Sequence, residues 1–332
     1  MRKTKIVCTI GPASSDPAVF ADMCRAGMNV ARLNFSHGTH AEHQAKIDMI
    51  KQVREEPGAG MMDVKKALTE AEGDVARAKE IIRAKGIQAA GKREGRKAQE
   101  GTIASTVVES ANGQTGYAVE LNSETDFVAK TPKFVEFAGS VLDDAVKAEA
   151  SSVDEVLAAA SGDTTVKEAV EEAAALFGEH VKVGQFAKVE GPHVEVYAHK
   201  KSAEMPPSIV AMIATDEAGA AVAHEAALQI SAMGAQWLTR EDVPADVLES
   251  ERRVATEKTT EELKSKGKPE AVIEKIAPKI VEGRLGAFYK ETVLLEQAYV
   301  KDPSKTVGDL FKEVGGTALS FARVEVGKGD AE

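Results

Sequence analysis

The sequence predicts an α+β protein: a small three-helix domain, two α/β subdomains with antiparallel sheets and a helical hairpin, preceded by a truncated βαβα fragment. Three observations carry this. Apolar residues recur at helical spacing: Phe134, Phe137, Ala138, Val141, Leu142 and Ala145 share one face, as do Val272, Ile273, Ile276, Ile280 and Leu285. Shorter stretches alternate instead, as Tyr117, Val119 and Leu121 do against small or polar neighbours, which marks strands. The first 48 residues read strand, helix, strand, helix, the opening of a βα series.

Taken in order, residues 1–48 start with an apolar strand over residues 5–10, of the kind buried on both faces in parallel sheets. Gly11-Pro-Ala-Ser-Ser breaks it. A helix over 16–26, a strand over 28–33, the turn Asn34-Phe-Ser-His-Gly38 and a helix from about Ala41 follow. His37, His40 and His43 recur every third residue, a spacing that rotates them progressively around a helix, so no metal site is assigned. Ile47, Ile50 and Val53 carry the helical stripe into the next domain without a linker.

Residues 49–86 form the three-helix domain. Its first helix ends at Glu56 and Pro57-Gly-Ala-Gly60 makes the turn. A second helix runs over 61–69; Asp74 caps the third and Gly86 ends it. Only one of Met61 and Met62 faces inward easily, which leaves the other free for an adaptable contact. Residues 87–100, rich in Gly, Lys, Arg and Gln, are a linker.

The core repeats itself loosely. Residues 101–180 hold strands over 101–110 and 116–122, a helix from Pro132 and an alanine-rich helical connection over 151–180. Residues 181–240 hold strands over 186–190, 193–199 and 208–215, then a helix over 217–233; Tyr197 and His199 share a strand face. Residues 241–292 are the hairpin, with Pro278 expected to kink it, and residues 293–332 a helix-then-strand module. The alternation of the second core strand stops at the polar run 122–126, followed by Phe127. Asp126 and Phe127 therefore sit on a tip between strand and helix, a good mount for functional residues. Spacing alone leaves two readings open: Phe127 as a core residue with Asp126 capping the helix, or both as a functional pair.

A net charge of −11 argues against a broad nucleic-acid surface, which needs clustered Lys and Arg. No run approaches eighteen apolar residues, so no membrane span is expected. The basic start lacks the apolar stretch of a secretion signal. Cys8 and Cys24 are too few for a disulfide framework, consistent with a reducing cytoplasm.

Two resemblances add to this. Glu120-Leu-Asn-Ser-Glu-Thr-Asp-Phe-Val-Ala-Lys130 resembles the second signature of the elongation factor Ts family, exchange factors of the GTPase elongation factor Tu. Val53-Arg-Glu-Glu-Pro-Gly-Ala-Gly-Met-Met-Asp-Val-Lys-Lys-Ala-Leu68 resembles its amino-terminal signature, departing at Val53 and Pro57, where the family usually has Leu and Thr. Val281-Glu-Gly-Arg284 resembles a recurring string of its helical hairpin. Together these cover about residues 50–327. The resemblance implies that the three-helix domain is ubiquitin-associated-like and that Thr125, Asp126, Phe127, Val128, Arg54, Met61 and Met62 meet the GTPase. It also places His199 in the region that meets the third domain of elongation factor Tu. It implies no cofactor, no nucleic acid, no membrane and no covalent chemistry.

Residues 1–48 resemble the first two βα units of pyruvate kinase, through Lys-Ile-Val-Cys-Thr-Ile-Gly-Pro-Ala-Ser and Gly-Met-Asn-Val-Ala-Arg-Leu-Asn-Phe-Ser-His-Gly. The resemblance implies that Arg32 would contact substrate phosphate, Asn34 and Ser36 would ligate potassium and His37 would lie near the nucleotide. Such a barrel needs eight βα units over about 250 residues, so the fragment is expected to be inert and poorly packed. Three functions are weighed: an exchange factor, a phosphoryl-transfer enzyme resting on the first 48 residues, and a passive helical binding module that leaves Asp126 and Phe127 idle.

Overall fold

The computed structural model describes residues 6–34, 39–41, 43–44, 70, 77, 81, 95–111, 113–202 and 204–329. The chain divides into two compact units, residues 1–97 with 167–181, and residues 98–166 with 182–332. The architecture is α+β; among the described residues there are several small antiparallel sheets and one parallel strand pair.

In the first unit, β1 (Val7–Thr9) runs into α1 (Pro17–Ala26) and returns as β2 (Val30–Arg32), parallel to β1 with Val7 opposite Val30 and Thr9 opposite Arg32. Ile10, Phe20 and Met28 form a small core, packed by Cys8, Met23, Ala31 and Leu33. The expectation that this strand is buried on both faces fails: Val7 is 57% and Val30 43% exposed. Residues paired across the two strands share a face, and the face carrying this pair has no layer over it among the described residues. Of residues 49–86, Glu70, Arg77 and Ile81 are described, each helical. The three-helix layout and the Ile47, Ile50, Val53 stripe otherwise lie outside the described residues.

The second unit begins with β3 (Glu100–Ser110) and β4 (Gly113–Ser123), followed by α2 (Asp126–Ala129), α3 (Pro132–Lys147) and α4 (Val153–Ala158). A two-residue hairpin, β5 (Ala160–Ser161) and β6 (Thr164–Thr165), then leads to α5 (Val166–Phe177), which from residue 167 on belongs to the first unit, so the connection over 151–180 is not helical throughout. Next come β7 (Lys182–Gly191), β8 (His193–Lys200), β9 (Pro207–Thr215) and α6 (Ala220–Met233). The hairpin α7 (Ala245–Ser265) and α8 (Glu270–Thr292) follows, then β10 (Ala298–Tyr299), β11 (Asp302–Thr306), α9 (Val307–Val314) and β12 (Ala318–Glu325).

Two three-stranded antiparallel sheets face each other, ordered β3-β4-β7 and β12-β9-β8. The chain changes sheet at Pro192, between β7 and β8. The strand read at 186–190 therefore belongs to the first sheet, and the tail strand completes the second. Grouping by sequence adjacency missed this, because one residue suffices to pass between packed layers. Between the sheets lie Ile103, Ala118 and Val189 from one side and Val194, Val210, Met212, Ala214 and Val324 from the other. The opposite side of β9 buries Ala211 and Ile213 against Ala223, Ala226, Ala227 and Ile230 of α6 and Phe311 of α9. With α3 on β3 and β4, β4 is buried on both faces, Ala118 as fully as Val119. Its alternation is thus one of size rather than polarity.

Glu225 on α6 holds the β10–β11 turn. It accepts a hydrogen bond from the Tyr299 hydroxyl, and Lys301 Nζ lies 2.6 Å from the same oxygen. Lys301 first and Tyr299 second hold the Glu225 carboxyl below its ordinary 4.5. Burial, then Glu225, pushes the Tyr299 phenol up to about 12. A depressed carboxyl contributes stability above its unfolded pKa and loses it as pH falls through the folded one. Glu225→Gln should therefore lower the melting temperature modestly at pH 7, by under about 1 kcal/mol because the pair is half-exposed. The difference from wild type should fade below about pH 4.5; thermal melts of both proteins between pH 3 and 7 check it, and a difference constant across that range would contradict it.

In the hairpin the seam is Ala255, Thr259 and Leu263 on α7 against Ile273, Ala277, Val281 and Leu285 on α8, spaced by four. Val272 and Ile280, placed on the stripe from sequence, are exposed. Alanine 277, small and weak as a hydrophobic signal, takes the place between them. Pro278 lies within α8, which is assigned as one helix from Glu270 to Thr292. Arg284 pairs with Glu262 at 2.7 Å, and Arg252 with Glu282.

Candidate functional site

The tip between β4 and α3 is built from short-range hydrogen bonds. Ser123 Oγ donates to the Thr125 carbonyl at 3.0 Å. Thr125, extended at φ −129° and ψ 151°, caps α2, its Oγ1 accepting from Val128 N at 3.5 Å. Thr131 does two jobs: its hydroxyl donates to the Val128 carbonyl at 2.8 Å and accepts from Phe134 N at 3.3 Å, capping α3, with Pro132 at the first helical position. Ala129 and Phe134 are buried and anchor the turn from below. Asp126 begins α2, where a carboxylate suits the helix dipole.

Phe127 points the other way and is 71% exposed. The core-residue reading of Phe127 is excluded, and the cap is Thr125 rather than Asp126. Thr125, Asp126 and Val128 are half-buried around the ring. Lys130 Nζ sits 4.4 Å from the Phe127 ring centroid and 3.5 Å from Asp126 Oδ2. The sequence carried this signal unread: Lys130 follows Asp126 by four residues and Phe127 by three, both neighbours on a helix surface.

The rest of the signature serves structure. Glu120 is 1% exposed. The β4–β7 register shifts between Val119 and Leu121, so Gly184 and Gln185 bulge opposite Glu120. Gln185 N donates to Glu120 Oε2 at 2.9 Å, while Gly327 N and Asn122 Nδ2 donate to Oε1 at 2.7 and 2.6 Å. A Cβ at Gly184 would lie 2.2 Å from Asn122 Oδ1 and 2.6 Å from Glu120 Oε2, so any larger residue there would have to push these two buried side chains aside.

His199 stands on β8 in the other sheet, half-buried, its Nδ1 3.3 Å from the Tyr197 hydroxyl. His224 of α6 meets the Tyr197 ring edge-on and lies 2.7 Å from Glu195 Oε1. Arg54, Met61, Met62, Ser36 and His37 lie outside the described residues. Arg32 ends β2, exposed, with Asn34 just beyond it. Among the described residues no wall encloses this guanidinium in the way phosphate transfer needs. Among the described residues no group of three or more His, Cys, Asp or Glu is arranged to hold a metal, and no helix is long and apolar enough to cross a membrane.

Comparison with known proteins agrees with both resemblances. A family model described as pyruvate kinase, barrel domain, matches residues 1–94, further than the 48 residues read from sequence. A family model described as elongation factor TS matches residues 124–328. The chain is 99% identical over 284 residues to elongation factor Ts of Bifidobacterium adolescentis, covering 86% of this chain and 98% of that protein. It is 83% identical over 280 residues to elongation factor Ts of Bifidobacterium animalis subsp. lactis (84% and 95% covered) and 49% identical over 280 residues to that of Beutenbergia cavernae (84% and 97%). With a family model spanning most of the chain and relatives this similar over nearly their whole length, the chain belongs to the elongation factor Ts family.

Proposed function

We propose that Phe127, presented by Thr125, Asp126 and Val128, is the wedge by which the chain opens the nucleotide site of elongation factor Tu. Family membership makes the chain a guanine-nucleotide exchange factor for that GTPase and not a catalyst of covalent chemistry. The observation that carries the wedge reading is a large apolar ring 71% exposed on a turn whose other anchors are buried. Exposing such a ring to water is unfavourable until a partner covers it.

A GTPase holds GDP chiefly through magnesium and phosphate contacts. A ring entering between helices beside that site displaces those contacts without competing for the nucleotide. Asp126, next to the ring, brings negative charge toward a region governed by the metal's field. Coupling is reciprocal: whatever lowers GDP affinity lowers the factor's affinity for the GDP-bound GTPase by the same factor. The factor therefore leaves when nucleotide returns and acts catalytically.

Residues 49–86 are assigned here as the ubiquitin-associated-like domain, with Arg54 and one of Met61 and Met62 on the nucleotide domain of elongation factor Tu. His199 is assigned to its third domain. The partner is a protein rather than nucleic acid, in keeping with the net charge of −11, no cofactor takes part, and the setting is cytoplasmic. The experiment measures GDP release from elongation factor Tu beside pyruvate formation from phosphoenolpyruvate and ADP, with the full chain. Accelerated release without pyruvate is expected; the reverse result would overturn the reading.

A further inference from the structure

The geometry points to Lys130 as a positioning residue for exchange, one that acts through the Phe127 ring and the Asp126 carboxylate. This rests on the wedge reading above. One ammonium touches both side chains, 4.4 Å from the ring centroid and 3.5 Å from Asp126 Oδ2. Positions 126 and 127 point about 100° apart on a helix, and position 130 lies between them, one turn on. The tip backbone is already fixed, since Lys130 N donates to the Asp126 carbonyl at 3.1 Å and Thr131 ties Val128 down. What remains free is the rotation of the exposed Phe127 ring and the half-buried Asp126 carboxylate. Lys130 restricts it by a cation–π contact on one side and an ion pair on the other.

A wedge held in its working orientation loses less freedom on insertion. Lys130 therefore acts at the step in which the ring enters and GDP leaves. A charge acting only by long-range attraction would instead change how readily the factor finds its partner. Arginine can replace lysine here, because a guanidinium also stacks on a ring while reaching a carboxylate. Methionine keeps the stem and loses the charge.

The test is stopped-flow release of a fluorescent GDP analogue from elongation factor Tu at varied concentrations of the full chain, using wild type, Lys130→Met, Lys130→Arg, Phe127→Ala and the double variant Phe127→Ala/Lys130→Met. Lys130→Met should lower kcat about three- to tenfold at unchanged KM, and Lys130→Arg should stay within about twofold of wild type. In the Phe127→Ala background, Lys130→Met should cost clearly less than it does in wild type, because only the Asp126 contact is left to lose. The assignment is overturned if Phe127→Ala slows release while Lys130→Met does not, if the two losses add, if only KM moves, or if Arg is as slow as Met. Wild-type release by Phe127→Ala overturns the wedge reading itself and this assignment with it.

Discussion

Phe127→Ala should slow factor-stimulated GDP release from elongation factor Tu by roughly ten- to hundredfold while leaving the fold intact. The magnitude comes from burial: covering a phenylalanine ring contributes about 1.5–3 kcal/mol, and each 1.36 kcal/mol is about tenfold in rate. The fold should survive because the ring is 71% exposed and its removal leaves no cavity. The capping bonds of Thr125 and Thr131 are untouched. Thermal unfolding should shift by no more than about 0.5 kcal/mol. Phe127→Leu, which keeps part of the apolar volume, should fall between the two. Release by Phe127→Ala at the wild-type rate would remove the ring from the mechanism.

Glu120→Gln should destabilise the second unit nearly as much as Glu120→Ala, a result that a simple size argument does not give. Three donors converge on the Glu120 oxygens: the backbone N–H groups of Gln185 and Gly327 and the side-chain amide of Asn122. A carboxylate only accepts. A glutamine would turn an NH2 toward one of the N–H groups, setting donor against donor in a site 1% exposed. Leaving buried donors unmade costs about 1–3 kcal/mol each. A total near 3 kcal/mol lowers the melting temperature by roughly 6–12 °C in a unit of this size. Thermal melts of the two variants check this; a Glu120→Gln protein as stable as wild type would show that the carboxylate's acceptor capacity is dispensable.

Much of this was legible from residues, for reasons that differ by place. The helices over 132–147 and 270–292 could be read because their burial follows the spacing of large apolar side chains, as Phe134, Val141 and Leu285 do. Where small residues do the packing the signal fades: Ala277 lies in the hairpin seam while Val272 and Ile280, stronger on any hydrophobic scale, face water. Sheet membership was beyond sequence reach. Residues 186–190 carry an ordinary strand pattern, and nothing local says which of two stacked sheets accepts them. At the tip, the strand-to-helix break exposed the position of Asp126 and Phe127, but not the direction of the ring, which depends on Ala129 being the side chain that turns inward. Glu120 was the hardest to read, since a charged residue on a strand is ordinarily a solvated one.

The Glu120 ring of donors has a temporal side. Its backbone donors come from residues 185 and 327, which follow Glu120 by 65 and 207 residues. Domains begin to fold while still attached to the ribosome, yet the Glu120 carboxylate on the strand leading to Phe127 stays incompletely satisfied until residue 327 emerges. A nascent copy therefore cannot close the shell of donors around this carboxylate until synthesis has passed residue 327.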